Sequence, residues 1–225
     1  MSVSREELFI QAATRAAPVR DLSLRNESDP FNVSLECYLA GIGEIAIEPF
    51  GPVYFDAFRR FYDRRDLQWD LSAESRSLSD QHGTDADTLS EIAERVRSRQ
   101  DAVFVVLTQG HVVGYLDIEE IGRIKAGQKT FFGEDYYAML DIAISDRFHG
   151  TGLAAVCMLF LKLVAAIASV GLGLCCQPAN ARALRFYRKH GFVRAGHKDI
   201  FDSDTGLSHS EPWYILEKNE FEILD

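Results

Sequence analysis

The stretch SDRFHGTGLAAVCMLF (residues 145–160) places two glycines, Gly150 and Gly152, between a strand-like run and an apolar run. The N-terminus of a helix leaves backbone N–H groups unpaired and carries a partial positive charge, so it attracts phosphate. A glycine there lets the backbone approach an anion closely, because glycine has no Cβ. The stretch therefore predicts either a phosphate-binding loop that opens a helix or a glycine turn that only caps a core helix.

Two other interpretations of this stretch fail. It is not a dinucleotide fingerprint, because Ala155 stands where a third glycine would be needed, and no Gly-Lys-Ser/Thr follows it. The apolar run that continues to Leu174 is not a membrane span, because a helix ending near Ser169 is only about 24 Å long and the bilayer core is about 30 Å thick. Lys162 and the glycines at 171 and 173 also interrupt the run.

A second stretch, QPANARALRFYRKHGF (residues 177–192), combines a polar start, a helical pattern and a closing Gly-Phe pair. Its cations Arg182, Arg185 and Lys189 are spaced i, i+3 and i+7, which places them on one helix face. Such a face either attracts a phosphate group or is simply a solvated surface.

Together the two stretches resemble the GNAT superfamily of acyl-CoA N-acyltransferases. In that family a strand similar to residues 142–144 leads into (Arg/Gln)-x-x-Gly-x-(Gly/Ala), which corresponds here to residues 149–154, with His149 in the Arg/Gln position. The Asn, Ala, Tyr and Gly-Phe of the second family motif are matched by Asn180, Ala183, Tyr187 and Gly191-Phe192. The resemblance is close from about residue 137 to 192 and looser from 43 to 118, while residues 1–42 match nothing in it.

The resemblance implies acetyl-CoA as the co-substrate and no metal. Backbone groups of Ile142 and Ile144, on either side of Ala143, would pair with the pantetheine amides. Asn180 would hold the pantetheine arm or position the adjacent loop. Phosphate contacts would come from the loop and the basic face: the N–H groups of Gly150, Thr151, Gly152, Leu153 and Ala154, and the side chains of His149 and Arg185. For these two side chains, plain solvent exposure is the alternative.

The resemblance also implies that Tyr187 is the general acid for the departing thiolate, since a thiol pKa of about 8.5 lies near that of tyrosine. The alternative is a core aromatic. We take Asp141 as the base, although strict strand alternation puts it on the face opposite Leu140 and Ile142 unless a bulge brings it round. Other family positions for a base fall near Ala138 and at Cys175 and Cys176, which leaves Glu119, Glu120 and ordered water as alternatives.

The elements that position these residues follow from periodicity and turn signals. We predict helices over about 4–17, 53–65, 85–99, 153–169 and 180–190, with Ser4 as the first N-cap and the aromatics of the second helix in the core. Strands are predicted over 43–50, 101–109, 111–121, 136–145, 171–177, 192–198 and 212–217, with a hairpin at Gln109-Gly110. Residues 21–32 are predicted to be polar loop. This order predicts an α+β fold: a GNAT-like mixed, mostly antiparallel sheet of six to seven strands with helices on both faces.

Length and charge bound the function further. A chain of 225 residues fits one main domain. We assign it to residues 43–218, with an N-terminal extension over 1–42, either a lid or a homodimer contact, and an acidic tail over 219–225. The formal net charge of −10 opposes nucleic-acid binding. The four cysteines form no staple-like pattern and no signal peptide begins the chain, which favours the cytoplasm.

These features predict an N-acetyltransferase that moves an acetyl group to a primary amine by direct attack in a ternary complex. The alternative is a catalytically weak acyl-CoA-binding regulatory or interaction module. The acceptor, a small molecule or a peptide, is expected to enter between the loops 71–85 and 122–135. Carboxylates there favour a polyamine, an aminoglycoside, or a peptide's lysine or N-terminus, unless they serve only solubility: Asp80, Asp85, Asp87, Glu119, Glu120, Glu134 and Asp135.

Overall fold

Strands and helices are interspersed along the chain in a computed structural model that describes residues 5–62, 86–127, 137–202 and 207–217. The helices are α1 (Arg5–Ala16), α2 (Phe55–Tyr62), α3 (Ala86–Arg97), α4 (Ile121–Lys125), α5 (Leu153–Ala168) and α6 (Ala181–Lys189). The strands are β1 (Val19–Arg25), β2 (Ser34–Leu39), β3 (Gly43–Pro49), β4 (Ala102–Thr108), β5 (His111–Glu119), β6 (Tyr137–Ile144), β7 (Gly171–Cys175), β8 (Val193–Asp202) and β9 (Leu207–Leu216).

The strands of the described chain form one nine-stranded sheet in the order β1-β2-β3-β4-β5-β6-β7-β9-β8. Every neighbouring pair is antiparallel except β6 and β7, which are parallel. The predicted α+β class, with a mixed and mostly antiparallel sheet, is therefore confirmed. The predicted count of six to seven strands is too low.

The two extra strands, β1 and β2, lie in the segment for which the sequence predicts no strand. In β1 only Val19 and Leu24 are buried, and a register shift between Arg20 and Ser23 breaks its alternation. A polar edge strand with such an irregularity carries little period-2 signal. Because β2 pairs with β3, the N-terminal segment joins the central sheet directly.

Helices cover both faces of the sheet, as predicted. Helices α1, α5 and α6 pack on one face with the larger core, and we call this the α5 face. Helices α2 and α3 pack on the other, the α2 face, where Phe50, Phe58 and Phe61 form a smaller aromatic core. The expectation that the aromatics of α2 serve packing is thus confirmed for Phe58, whose ring contacts Phe50 and Tyr115.

The apolar helix α5 ends at Ala168, where Ser169 adopts a left-handed conformation with φ of 60°. Within the described residues, no helix is both long and apolar enough to cross a bilayer. The glycines after it make room for aromatic rings: a Cβ on Gly171 would lie 2.7 Å from the Tyr137 ring, and one on Gly173 would lie 2.2 Å from the Trp213 ring. These contacts explain why β7 reads GLGLC.

The hairpin predicted at Gln109-Gly110 is confirmed, since both residues have positive φ as a tight two-residue turn requires. The predicted long loop from residue 122 begins instead with helix α4, while residues 128–136 lie outside the described part of the chain. The predicted Ser4 cap, the loop 71–85 and the tail 219–225 lie outside it as well.

Candidate functional site

The parallel strands β6 and β7 stay paired for only a short distance. Their register covers Tyr137–Met139 against Gly171–Gly173 and stops there. Strand β6 continues to Ile144 along β5, with Leu140 opposite Ile118 and Ile144 opposite Gly114, while β7 continues along β9. The two strands therefore leave an opening beyond Met139 and Gly173, which we call the β6–β7 opening.

The main chain of β6 turns specific groups toward this opening. The N–H of Ser145 donates to the carbonyl of Val113 over 2.9 Å, which fixes the hydrogen-bonding phase of the β5–β6 ladder. Because hydrogen-bonded pairs alternate in an antiparallel ladder, the N–H and C=O groups of Ile142 and Ile144 point away from β5. They are the backbone groups for which the sequence predicts pantetheine contacts. The N–H of Ile142, however, already donates to Asp141 Oδ1 over 2.8 Å.

The segment after β6, residues 145–154, forms what we call the glycine loop together with the first turn of α5. Two of its N–H groups are used internally: that of Thr151 donates to the carbonyl of Phe148 over 3.4 Å, and that of Leu153 approaches Thr151 Oγ1 at 3.4 Å. Within the described structure the N–H groups of Gly150, Gly152 and Ala154 have no protein acceptor. An anion at this helix start would meet three free donors, fewer than the five predicted.

The two glycines of this loop are required for different reasons. Gly150 has φ of +76°, and a Cβ there would meet nothing within 4 Å. Gly152 has φ of +92°, and its Cβ would lie 3.1 Å from the Cβ of Ala17 at the end of α1. Position 152 therefore favours glycine both for its backbone conformation and for its close approach to Ala17. Because Ala17 is distant in sequence, local patterns do not reveal this contact. Position 150 favours glycine only for its backbone conformation.

His149 links the glycine loop to α6. Its Nδ1 lies 3.0 Å from Asp146 Oδ1 and 2.9 Å from Arg182 Nη1. Arginine can only donate, so a neutral His149 accepts from Arg182, whereas a protonated His149 donates to Asp146. Neither of the two predicted alternatives, phosphate contact or plain solvation, includes this bridge between the two motifs.

The other polar residues of the second motif lie on α6. Asn180 is the N-cap, and its Oδ1 accepts from the N–H of Ala183 over 3.1 Å. This capping bond fixes the turn that follows β7. Arg185 and Lys189 are exposed on the helix face, while Arg182 also lies 3.9 Å from Asp146.

Tyr187 is half-buried on α6 against the rings of Phe186 and Phe192, with centroids 5.5 Å and 5.7 Å away. Burial raises its pKa well above the ordinary tyrosine value, and the neighbouring titratable groups of Asp141 and Cys176 add to the shift. Tyr187 therefore lies within electrostatic reach of both sides of the opening. The raised pKa keeps the proton on the hydroxyl, but it also widens the gap between the pKa of Tyr187 and the thiol pKa of about 8.5.

Asp141 lies on the α2 face, where strict alternation places it. The register between β5 and β6 is regular from Ile144 to Met139, so the bulge that would bring its side chain to the other face is not present. Its Oδ2 accepts from the hydroxyl of Tyr115 over 2.5 Å and its Oδ1 from the N–H of Ile142. Burial raises the pKa of Asp141, and these two hydrogen bonds oppose that rise.

Sequence reasoning missed Asp117, which is buried directly opposite Asp141 in the ladder. Burial raises its pKa well above the ordinary value, with Glu119 adding to the shift. Burial also raises the pKa of Glu119 to about 7. The alternation in GYLDIEE, which puts Tyr115, Asp117 and Glu119 on one face of a buried strand, is the signal that could have revealed this group.

The remaining candidates contribute less to the opening. Glu120 has a left-handed φ of 63° before α4, and its N–H donates to Asp101 Oδ1. Burial raises the pKa of Cys175 to about 12 and that of Cys176 to about 11, so both remain thiols. Four of the predicted acceptor carboxylates and the side chain of a fifth lie outside the described part of the chain: Asp80, Asp85, Glu134, Asp135 and the side chain of Asp87.

A separate groove of about 620 Å³ lies over β1 to β4. Its walls carry Asp21, Glu36, Glu44 and Glu48 but none of the residues of the two motifs. The β6–β7 opening, and not this groove, is therefore the place where the predicted site residues come together.

Comparison with known families places this arrangement in context. A model of the acetyltransferase (GNAT) family matches residues 60–192, which is more than half of the chain. No curated protein sequence matches the chain significantly.

Solved structures of low sequence identity share the fold. A spermidine N-acetyltransferase from Vibrio cholerae, in complex with CoA and spermine, is 15% identical with a TM-score of 0.57 over 79% of this chain and 98% of its own. An N-acetyltransferase from Staphylococcus aureus Mu50 is 14% identical, with a TM-score of 0.58 over 77% and 98%. The Microcin C7 self-immunity acetyltransferase MccE, in complex with acetyl-CoA and AMP, is 11% identical, with a TM-score of 0.56 over 77% and 92%.

Proposed function

The chain belongs to the acetyltransferase (GNAT) family, and from this premise we propose that it moves the acetyl group of acetyl-CoA to the nitrogen of a primary amine. Acetyl-CoA would lie in the β6–β7 opening, with its pyrophosphate on the glycine loop. The amine would approach from the α2 face.

The observation that carries this proposal is the early divergence of β6 and β7. Beyond Met139 and Gly173 the opening presents main-chain groups of Ile142 and Ile144 on one side, and the glycine loop at its end adds three free N–H donors. Peptide-like amides of pantetheine can pair with such a strand, and a phosphate suits such a helix start. Two of the structural neighbours were solved with CoA or acetyl-CoA, which supports acetyl-CoA as the co-substrate.

The proposed chemistry is a direct attack. The acceptor ammonium gives a proton to Asp141, and its nitrogen attacks the acetyl carbonyl carbon, forming the C–N bond. The C–S bond then breaks, and Tyr187 gives its proton to the departing thiolate. The second proton of the amine nitrogen returns to the Tyr187 phenolate, which leaves the neutral amide, CoA as the free thiol and a protonated Asp141 that releases its proton to solvent. The carboxyl of Asp141 is suited to its role because burial raises its pKa, and Tyr187 is suited because its hydroxyl stays protonated.

A second function, binding of acyl-CoA without turnover, is favoured by one observation. Asp141 already accepts one hydrogen bond on each of its two oxygens, from Tyr115 and from Ile142, so both oxygens are engaged by protein donors before any substrate arrives. A regulatory or interaction module would keep the opening and need no base.

The experiment that separates the two functions is a thiol-release assay with acetyl-CoA and a panel of primary amines. Amine-dependent release of CoA, with the acetylated amine detected by mass spectrometry, is the result that acetyl transfer predicts. Tight binding of acetyl-CoA without amine-dependent release would contradict it and favour the binding module.

A further inference from the structure

Three carboxyl side chains lie together on the α2 face of β5 and β6. Asp117 and Asp141 are direct partners across the antiparallel ladder, and Glu119 follows Asp117 on the same face. The Cβ atoms of such cross-strand partners lie about 4.5–5.5 Å apart. We call Asp117, Glu119 and Asp141 the carboxyl cluster.

The negative charge of this cluster is not balanced by the protein groups that act on it. Asp117 is influenced by Glu119, Asp101 and Asp141, and by Arg95 as the single cation among these groups. Arg95 is already paired, since its Nε lies 2.9 Å from Asp101 Oδ2. Like charges directly opposite each other destabilise a ladder. Without a cation these carboxyls keep protons instead, since burial raises their pKa values, and a bound ammonium group would take the place of those protons.

Asp117 is the member that lacks a partner. Its residue is 8% exposed, and its Oδ1 is buried with no hydrogen-bond partner in the described structure. Asp141, by contrast, accepts from Tyr115 and Ile142. A buried carboxyl oxygen without a donor costs free energy, and most proteins satisfy it. An oxygen of this kind, on a residue that lies beside two further carboxyls, indicates a missing donor.

The cation that fits is an ammonium group and not a metal ion. No group of three or more His, Cys, Asp or Glu in the described ranges converges as a metal site requires. The carboxyls are instead spread along two strands, about 7 Å apart for Asp117 and Glu119 at the usual strand rise. A primary ammonium carries three N–H donors, which can reach separate carboxyl oxygens.

Resting on the acetyl transfer proposed above, we infer that the carboxyl cluster binds the ammonium group of the acceptor, with Asp117 as its anchor, and that it selects amines carried on an unbranched methylene chain. The selection for an unbranched chain follows from how deeply each of the three carboxyls is buried. Asp117 is the most buried of the three carboxyls, and Glu119 and Asp141 beside it are only half-buried. A slender –CH₂–NH₃⁺ group can pass between them to reach Asp117. An amine on a ring carbon or on a peptide Cα carries a second substituent next to its nitrogen and is excluded.

The cluster is also well placed for the reaction. Asp141 lies two residues beyond Met139, the last β6 residue paired with β7, and its charge reaches Tyr187. An ammonium anchored on Asp117 has Asp141 directly across the ladder to take its proton. On the same face the ring of Trp213 lies over Gly173 and offers an apolar surface on the side of the cluster toward β7, while the Lys198 ammonium lies 5.2 Å from the centroid of that ring.

Asp117→Asn tests the anchor, because it removes the charge and keeps the shape. With butane-1,4-diamine as the acceptor and saturating acetyl-CoA, we expect KM for the amine to rise about 10- to 100-fold, as for the loss of a hydrogen bond to a charged group. The Kd for CoA should not change. The matched control is Glu48→Gln, which removes one carboxylate from the same face, where Tyr54 donates to it. Its KM should stay near the wild-type value.

The selection is tested with trans-cyclohexane-1,4-diamine, which has the same charge but carries each amine on a ring carbon. We expect wild-type kcat/KM to be at least about tenfold lower for it than for butane-1,4-diamine, a difference of about 1.4 kcal/mol. Nα-acetyl-lysine methylamide, as a third acceptor, distinguishes a lysine side chain from a free diamine, and good turnover of either supports the inference. An unchanged amine KM in an active Asp117→Asn variant, or equal use of the ring diamine, would overturn it.

The failure of the proposed function would look different. In that case the wild-type protein would release no CoA with any amine. The cation site can then be tested without turnover, through the melting temperature in butane-1,4-diamine and in the uncharged butane-1,4-diol. Stabilisation by the diamine alone that disappears in Asp117→Asn would uphold the site. Equal effects of the two compounds on the wild type would overturn it.

Discussion

Burial sets the protonation state of the side chains beside the β6–β7 opening. It raises the pKa of Tyr187 well above its ordinary value, with Asp141 and Cys176 adding to the shift, so the hydroxyl keeps its proton through the neutral range. It likewise raises the pKa of Cys175 to about 12 and of Cys176 to about 11. Of these three residues, only Tyr187 lies on α6 and belongs to the second family motif. We therefore propose that Tyr187 gives its proton to the leaving thiolate.

Tyr187→Phe should lower kcat about 10²- to 10⁴-fold, the usual contribution of a positioned general acid. The Kd for CoA should change little, because phenylalanine keeps the ring contacts with Phe186 and Phe192. Steady-state kinetics and calorimetry measure the two quantities. Tyr54→Phe is the control, since it removes a hydroxyl that donates to Glu48 outside the opening. Wild-type turnover in Tyr187→Phe would remove this residue from the mechanism.

At the level of elements, the N-terminal segment supports the glycine loop. The end of α1 meets the start of α5 where Ala17 approaches Gly152, and Phe9 and Ala13 of α1 are buried in the same core. A Cβ at 152 would require Ala17 to shift by a few tenths of an ångström. The position of the loop therefore depends on a helix that precedes the family match at residues 60–192.

Gly152→Ala should lower the free energy of unfolding by about 2–4 kcal/mol, from the left-handed backbone and from overpacking against Ala17 together. Adding Ala17→Gly should recover part of this loss, because it removes the atom that the new Cβ meets at 3.1 Å. Urea denaturation measures both. Gly43→Ala isolates the backbone contribution, since Gly43 has φ of +107° and nothing within 4 Å of a Cβ. Equal losses for Gly152→Ala and Gly43→Ala, without rescue, would show that the contact does not matter.

Local patterns were sufficient to predict most elements but not their contacts. The apolar run of α5, the hairpin at Gln109-Gly110 and the positions of the last strands along the chain all follow from periodicity and turn residues. Strand β1 does not, because a polar edge strand with a register shift has no clean alternation. The pairing of Asp117 with Asp141 and the contact of Gly152 with Ala17 join residues far apart in sequence, so only the folded chain reveals them.

For the whole molecule, buried carboxyls make stability depend on pH. Burial raises the pKa of Glu119 from 4.5 to about 7, and the pKa values of Asp117 and Asp141 move in the same direction. The folded state therefore keeps protons that the unfolded chain releases, and this stabilising contribution is lost as the pH rises through 7. His190 has the opposite effect, because burial lowers its folded pKa from 6.5 to about 4; its contribution grows as the pH falls through 6.5 and offsets part of the carboxyl effect at that pH.

The wild-type protein should accordingly be more stable at about pH 6.5 than at about pH 8, by on the order of 1 kcal/mol from Glu119 alone. Glu119→Gln should reduce this difference, because glutamine imitates the protonated carboxyl at both pH values. Urea denaturation at the two pH values measures it. A wild type that is more stable at pH 8, or a variant with an undiminished difference, would contradict the sign of these shifts.

The central claim, that CoA lies in the β6–β7 opening with its pyrophosphate on the glycine loop, is tested most directly by calorimetry with CoA on Gly150→Asp. Gly150 is a better choice than Gly152, because a Cβ at 150 meets nothing within 4 Å whereas one at 152 meets Ala17. Gly110→Asp is the matched control, since Gly110 has φ of +73° against +76° and is equally open, but lies in the β4–β5 hairpin. We predict that Gly150→Asp raises the Kd for CoA at least about tenfold, a loss of about 1.4 kcal/mol, while Gly110→Asp leaves it unchanged. Wild-type affinity in a folded Gly150→Asp variant would contradict the account.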